Sequence, residues 1–295
     1  MNSNDLSSDG GLILLKEFFH KIGLEKLLKE HFKTNDSAVI RKHRDDKNLL
    51  QAIFQIISGN FEDDRADNLR TDPVFKVVLD KETLASQPTM SRFYNRMDNS
   101  TAEQLNELMQ LLRKAIYTYQ RPENVLLDLD STLLETYGKQ EGKAFNYHYQ
   151  ANGYHPLVCY DGLTGDLLKI SLRDGAAYSS TGVTKFLEPL IDEFENNYST
   201  VPLFLRGDSG FATPKLYEQC EKHDIRYVIR LKENNVLINK AQFLENTLRE
   251  ITNQNSLDYA VVYGEFDYQA GSWSKPRRVV CKIEKRRLSK MKSSL

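Results

Sequence analysis

The sequence predicts an α/β protein: a mixed-sheet core preceded by an all-α N-terminal domain and followed by the start of a β-rich insertion. Three observations carry that expectation. Apolar residues recur at helical spacing up to about Gln120. Two short apolar runs, Val125 to Leu129 and Leu203 to Leu205, each lead to an aspartate, Asp130 and Asp208. Between and beyond those runs the apolar period falls towards two, the mark of strands.

The helical part comes first. Leu14, Leu15, Phe18, Phe19, Ile22, Leu24, Leu27 and Leu28 follow one helical stripe, and Leu49, Ile53, Phe54, Ile56 and Ile57 follow another before Gly59. Gln87-Pro88 then breaks a segment and opens a polar helix carrying Arg92 and Arg96. The opening of a recognition helix in a helix-turn-helix has this form, with Thr89, Ser91, Arg92 and Arg96 free to meet phosphates or base edges. An ordinary capped surface helix reads the same way. Thr101 to Tyr119 gives a last amphipathic helix, and Arg121-Pro122 closes the domain.

Val125, Leu126, Leu127 and Leu129 read as a strand buried on both faces. Asp130 therefore falls at a strand's C-terminal end, where open α/β sheets place their chemistry. A turn begun by Asp128 and Asp130 and capped by Ser131 or Thr132 is the alternative. The run ending in Arg206-Gly207-Asp208-Ser209-Gly210 repeats the design, and Thr213-Pro214 supplies the N-cap and first residue of a helix to His223. Three further stretches, from Ala144 to Gln150, Tyr154 to Asp161 and Leu167 to Leu172, read as antiparallel strands joined by turns at Asn152-Gly153 and at 161–165. A helix from about Thr181 to Asn196 and a strand from Arg226 to Leu231 complete the set.

This order matches the ribonuclease-H-like arrangement, whose first and fourth strands are parallel neighbours. That would set Asp130 beside Asp208. Facing carboxylates repel and stay ionised cheaply only around a cation, so the pair is a candidate site for Mg²⁺ or Mn²⁺, with Asp128 a further candidate ligand. Past Lys232-Glu233-Asn234, stretches from Leu257 to Tyr268 and Arg278 to Ile283 read as strands around Trp273, and a short basic tail follows. The expected organisation is 1–121, a helical DNA-binding domain; 122–250, the catalytic core; and 251–295, a partial β-rich insertion and tail.

Bulk composition narrows the function classes. Forty basic residues face 41 acidic ones, so global charge does not hold nucleic acid, although the Arg41-Lys42-His43-Arg44 run and the basic C-terminus make local patches. Cys159, Cys220 and Cys281 are odd in number and far apart, which fits reduced thiols rather than a disulfide frame or a zinc site. No basic leader precedes an apolar core, and Leu12 to Leu15 is too short to span a bilayer. The expected setting is the cytoplasm, in association with the nucleoid. His148 and His155 read as packing or backbone-bonded residues rather than metal ligands.

Several stretches together resemble the DDE-type insertion-sequence transposases of bacteria, in the branch with a β-rich insertion before the third acid. They are Leu84-Ala85-Ser86-Gln87-Pro88-Thr89, Asp128-Leu129-Asp130-Ser131-Thr132, Gln140-Glu141-Gly142, Gly153-Tyr154-His155-Pro156-Leu157, Arg206-Gly207-Asp208-Ser209-Gly210-Phe211, the run from Arg226 to Lys232, and Trp273. The resemblance covers Leu12 to about Ile283. It implies that Asp130 and Asp208 are the first and second catalytic acids, and that two Mg²⁺ or Mn²⁺ ions serve in-line displacement at phosphorus. It also implies that the helical domain binds double-stranded DNA at terminal inverted repeats, with a homodimer as the synaptic unit, for cut-and-paste strand cleavage and transfer. The family's third acid, a glutamate on a helix, lies beyond this sequence, so a C-terminally truncated chain is expected. Two other readings remain: a truncated, non-catalytic DNA-binding or inhibitory fragment, and a haloacid-dehalogenase-type phosphatase using Asp128 as nucleophile and Asp130 as acid/base.

Overall fold

A computed structural model describes residues 7–36, 38, 40–62, 64–254 and 259–286. The chain divides into two compact units, Met1–Ala177 with Phe186–Phe204, and Tyr178–Lys185 with Leu205–Leu295.

The first unit begins with the predicted helices: α1 (Leu12–Lys21), α2 (Leu24–His31), α3 (Asp45–Ile57), α4 (Arg65–Leu69), α5 (Pro73–Leu79), α6 (Gln87–Tyr94) and α7 (Asn99–Tyr117). The single stripe expected from Leu14 to Leu28 is two helices. Gly23 stands between them at φ 73°, a left-handed conformation that a residue with a Cβ adopts only under strain. Leu14 and Phe18 are consequently exposed, while Leu12, Leu24 and Leu28 face the core.

Side-chain caps set the starts of two of the later helices. Asp72 caps α5 by accepting from the Val74 and Phe75 N–H groups ahead of Pro73. Asp98 and Thr101 form a capping box at α7. The helical core joins Leu50 and Phe54 of α3, Phe75 and Val78 of α5, Met90 and Phe93 of α6 and Leu108 of α7. Burying a side chain of this size contributes about 1.5–3 kcal/mol.

The sheet strands follow: β1 (Val125–Ser131), β2 (Leu134–Glu135), β3 (Ala144–Asn146), β4 (Ala151–Tyr154), β5 (Leu157–Asp161), β6 (Leu167–Ser171), then helix α8 (Val183–Asn197), β7 (Leu203–Gly207), helix α9 (Pro214–Lys222) and β8 (Arg226–Ile229). The five-stranded sheet has the order β6-β5-β1-β7-β8, and β1-β5 and β5-β6 pair antiparallel. β1, β5 and β6 make a three-strand antiparallel meander that includes β1 itself, as in the ribonuclease-H-like order.

The structure corrects the strand reading in two places. The 144–150 stretch is not a core strand: β3 joins β2 and β4 in a separate small sheet. Asn152-Gly153 is not a turn but part of β4. Glycine is required there because a Cβ at position 153 would lie 2.2 Å from the Leu134 carbonyl oxygen. The turn at 161–165 is as expected, with Gly165 at φ 82° donating to the Asp161 carbonyl.

Beyond β8 the sequence reading assigned no element to 235–254, which form helix α10 (Asn235–Gln254). Its buried Leu237, Ala241, Leu244 and Leu248 lie on one stripe. The two expected strands are there as the hairpin β9 (Tyr259–Tyr268) and β10 (Arg277–Arg286), while Leu257 and the basic tail from Arg287 onward lie outside the described residues. Within this second unit Trp273 packs edge-on against Tyr217 and Tyr268. The Arg277 guanidinium lies over the Tyr217 and Trp273 rings at 5.1 and 5.3 Å and pairs with Glu221. Among the described residues no helix is long and apolar enough to cross a membrane.

Candidate active site

Along β1, Val125, Leu127, Leu129 and Ser131 are buried, Leu126 and Asp128 are half-buried, and Asp130 is exposed. The strand is thus buried fully on one face only, correcting the expectation of two. By the two-residue repeat, Asp128 and Asp130 lie on the other face. Asp130 Oδ1 accepts from the Ser131 N–H at 2.7 Å, which fixes one oxygen of its carboxylate. Buried Cys159 sits opposite Leu129 on β5, and burial, followed by the Asp128 charge, pushes its thiol up to about 12. Burial thus holds the Cys159 thiol in its neutral form, which is a poor nucleophile.

In the second unit Asp208 follows the last residue of β7 and is exposed. It caps a single 3₁₀ turn, Ser209–Phe211, with Oδ1 accepting from the Gly210 N–H at 2.8 Å. A Cβ at position 210 would stand 2.8 Å from the Ser179 side chain and 3.0 Å from Asp208 Oδ1, so glycine is what lets the backbone close on the carboxylate. Thr213 and Pro214 open α9 as the sequence predicts. Among the described residues no three His, Cys, Asp or Glu side chains converge as a metal-binding group. His155 is buried, with Nδ1 2.7 Å from the Ala177 carbonyl oxygen, and exposed His148 meets Tyr149 edge to face.

The four candidate DNA contacts divide sharply. Arg92 is exposed on α6, Thr89 and Ser91 are half-buried, and the Thr89 and Ser86 hydroxyls are 3.1 Å apart at the start of the helix. Arg96 lies past the end of α6 and is not free. Its Nη2 donates to Asp45 at 3.0 Å and its Nε to Thr34 at 3.1 Å, and it stands 3.3 Å from Asp36. Arg41 bridges the same two carboxylates at 2.6 Å each. Burial works to raise the Asp45 carboxyl, yet the Thr34, Arg41 and Arg96 hydrogen bonds overcome it and hold the group below its ordinary range. Arg96, expected to be free for a phosphate, is thus paired in this structure with two carboxylates distant in sequence.

Sequence reading also passed over Gln51. Its side chain clamps Ala85, accepting the Ala85 N–H at 2.9 Å and donating to the Ala85 carbonyl at 3.0 Å, and so fixes the turn into α6. The available signal was an amide on the apolar stripe of α3.

An exposed aspartate thus lies near the end of β1 in the first unit, and another follows β7 in the second. The chain belongs to the family described as transposase DDE domain group 1, which matches residues 1–291. No curated protein matches it. Among solved structures it is similar to a piggyBac transposase synaptic complex with hairpin DNA (TM-score 0.35, 15% identity, 95% of this chain and 60% of that one). It is similar also to the Mos1 mariner paired-end complex with Mn (0.27, 9%, 84% and 90%) and to a simian T-cell lymphotropic virus intasome in complex with the PP2A regulatory subunit B56 gamma (0.25, 16%, 54% and 53%). The chain thus spans 60% and 53% of the piggyBac and viral chains.

Proposed function

We propose that this transposase-family chain binds the terminal inverted repeats of an insertion sequence through its helical domain, 1–121, and that its core, 122–250, cleaves and transfers DNA strands by cut-and-paste transposition. Asp130 and Asp208 are the first and second acids, and residues 251–295 belong to a β-rich insertion. The observation that carries this reading is membership of the transposase DDE family over residues 1–291, in a chain with an exposed aspartate near the end of β1 and another just after β7. Family membership gives the phosphatase reading, with Asp128 as nucleophile, no support.

The donor chemistry suits Mg²⁺ or Mn²⁺, since both residues offer hard carboxylate oxygens to solvent. Asp130 and Asp208 would hold the metal, with Asp128 next in line on the same face of β1. When bound, two such ions activate the attacking oxygen and stabilise the leaving one. The protein's own contribution is orientation. The Ser131 and Gly210 N–H groups each hold one carboxylate oxygen, so less freedom is lost when a ligand binds. A homodimer pairing two element ends is the assembly proposed.

The test is cleavage and strand transfer on a duplex carrying the element's own termini, with Mg²⁺ or Mn²⁺. Activity that falls roughly a thousandfold on Asp130→Ala supports the reading. A chain that binds this duplex and leaves it whole is instead the DNA-binding fragment.

A further inference from the structure

Among the helices of the first unit, the loop leading into α3, the first turn of α3 and the turns after α4 and α5 carry Lys42, His43, Arg44, Lys47, Arg70 and Lys81. Three of these cations have carboxylate partners: Arg44 reaches Asp46 at 2.6 Å, Lys47 reaches Glu25 at 2.6 Å, and Arg70 stands 3.8 Å from Asp67. The other three do not. Among the described residues no ion pair joins Lys42, His43 or Lys81 to a carboxylate, and Lys81 Nζ lies 3.5 Å from His43 Nδ1.

Burial first, then the charges of Lys47 and Arg44 against that of Asp46, pushes Lys81 down to about 8. Burial and the charges of Lys81, Lys42 and Arg70 likewise lower His43. Every named neighbour of these groups except Asp46 is cationic, so the local field is positive and incompletely answered. The cluster also borders α6, because Asp67, the partner of Arg70, accepts the Gln87 N–H at 3.2 Å.

We infer that Lys42, His43 and Lys81, with Arg70 beside them, form a seat for a backbone phosphate of duplex DNA next to the start of α6. The inference rests on the DNA-binding reading above and adds residues to it that lie off the helix. An anion in the seat draws Lys81 back towards its ordinary value, so the complex takes up a proton. Affinity then falls as pH rises through 8.

The probe is a labelled random-sequence duplex titrated with the full chain by fluorescence anisotropy. Wild type should bind about tenfold more weakly at pH 9 than at pH 7, as the folded value of about 8 returns to about 10.4 on binding. Lys81→Arg, whose charge does not titrate, should bind with no such dependence. Lys81→Met should bind more weakly and lower the log–log salt slope by about one.

Wild-type binding that is flat in pH, or a Lys81→Met variant with unchanged affinity and slope, overturns the seat while leaving DNA binding intact. No duplex binding by wild type overturns both. Calorimetric binding of inorganic phosphate that Lys81→Met abolishes without touching duplex affinity makes the cluster a free-phosphate site and overturns the DNA assignment.

Discussion

Arg113 of α7 and Glu193 of α8 form an ion pair whose side chains are only 7% and 3% exposed. Arg113 Nε donates to Glu193 Oε1 at 3.0 Å, Nη2 donates to Oε2, and Nη1 reaches the Leu168 carbonyl of β6 at 3.4 Å. The last helix of the N-terminal domain is thereby tied to the core helix and the edge strand. Arg113→Met keeps the apolar stem but leaves a buried carboxylate without its two donors, at a cost of about 3–5 kcal/mol. Glu193→Leu strands the guanidinium and should cost as much. The double variant removes both charges and should recover most of the loss, because replacing a whole buried pair with apolar residues is near neutral. In urea, followed by circular dichroism, each single variant should lose roughly 1–2 M in midpoint at a slope of about 3 kcal/mol/M. Single variants that each lose under about 1 kcal/mol, or a double variant as weak as the two losses added, would refute the pair as a tie between the two parts of the unit.

Two further outcomes follow from the corrections and the Trp273 cluster. Arg96→Glu should destabilise the helical unit by about 3–5 kcal/mol, because it sets a third carboxylate against Asp36 and Asp45, whereas exposed Arg92→Glu should leave stability within about 0.5 kcal/mol and weaken duplex binding. Thermal melts and gel shifts on the two variants separate these roles. Glu221 is held down to about 2 by Arg277, against burial that works to raise it, with Tyr227 and Lys275 assisting. A depressed carboxylate contributes above its unfolded value of about 4.3 and loses that contribution as pH falls towards 2. After solvent screening the contribution is about 1–2 kcal/mol at pH 7 and under half of that at pH 3. Trp273 is the sole tryptophan, so its fluorescence in urea reads the difference between wild type and Glu221→Gln at both pH values.

Much of the fold is legible in the sequence, for identifiable reasons. Val125 to Leu129 and Leu203 to Leu205 are short apolar runs that end in punctuation, and Thr213-Pro214 marks a helix start by local chemistry alone. What escaped depends on partners distant in sequence. Nothing near Arg96 indicates that Asp36 and Asp45 claim it, nor that Gly153 is glycine because the Leu134 carbonyl passes close by. The stripe of α10 stands in the sequence at 237, 241, 244 and 248, at helical spacing. The half-exposed face of β1 could be read from Asp128 and Asp130 themselves, since two carboxylates at alternate positions do not sit on a fully buried face.

The central proposal is that Asp130 and Asp208 are metal ligands. Titration of the purified chain with Mn²⁺, followed by the loss of the free-ion paramagnetic resonance signal, tests it most directly. Asp130→Asn and Asp208→Asn should each remove binding. Mn²⁺ binding that survives both single substitutions, or that only one of them removes, would contradict it.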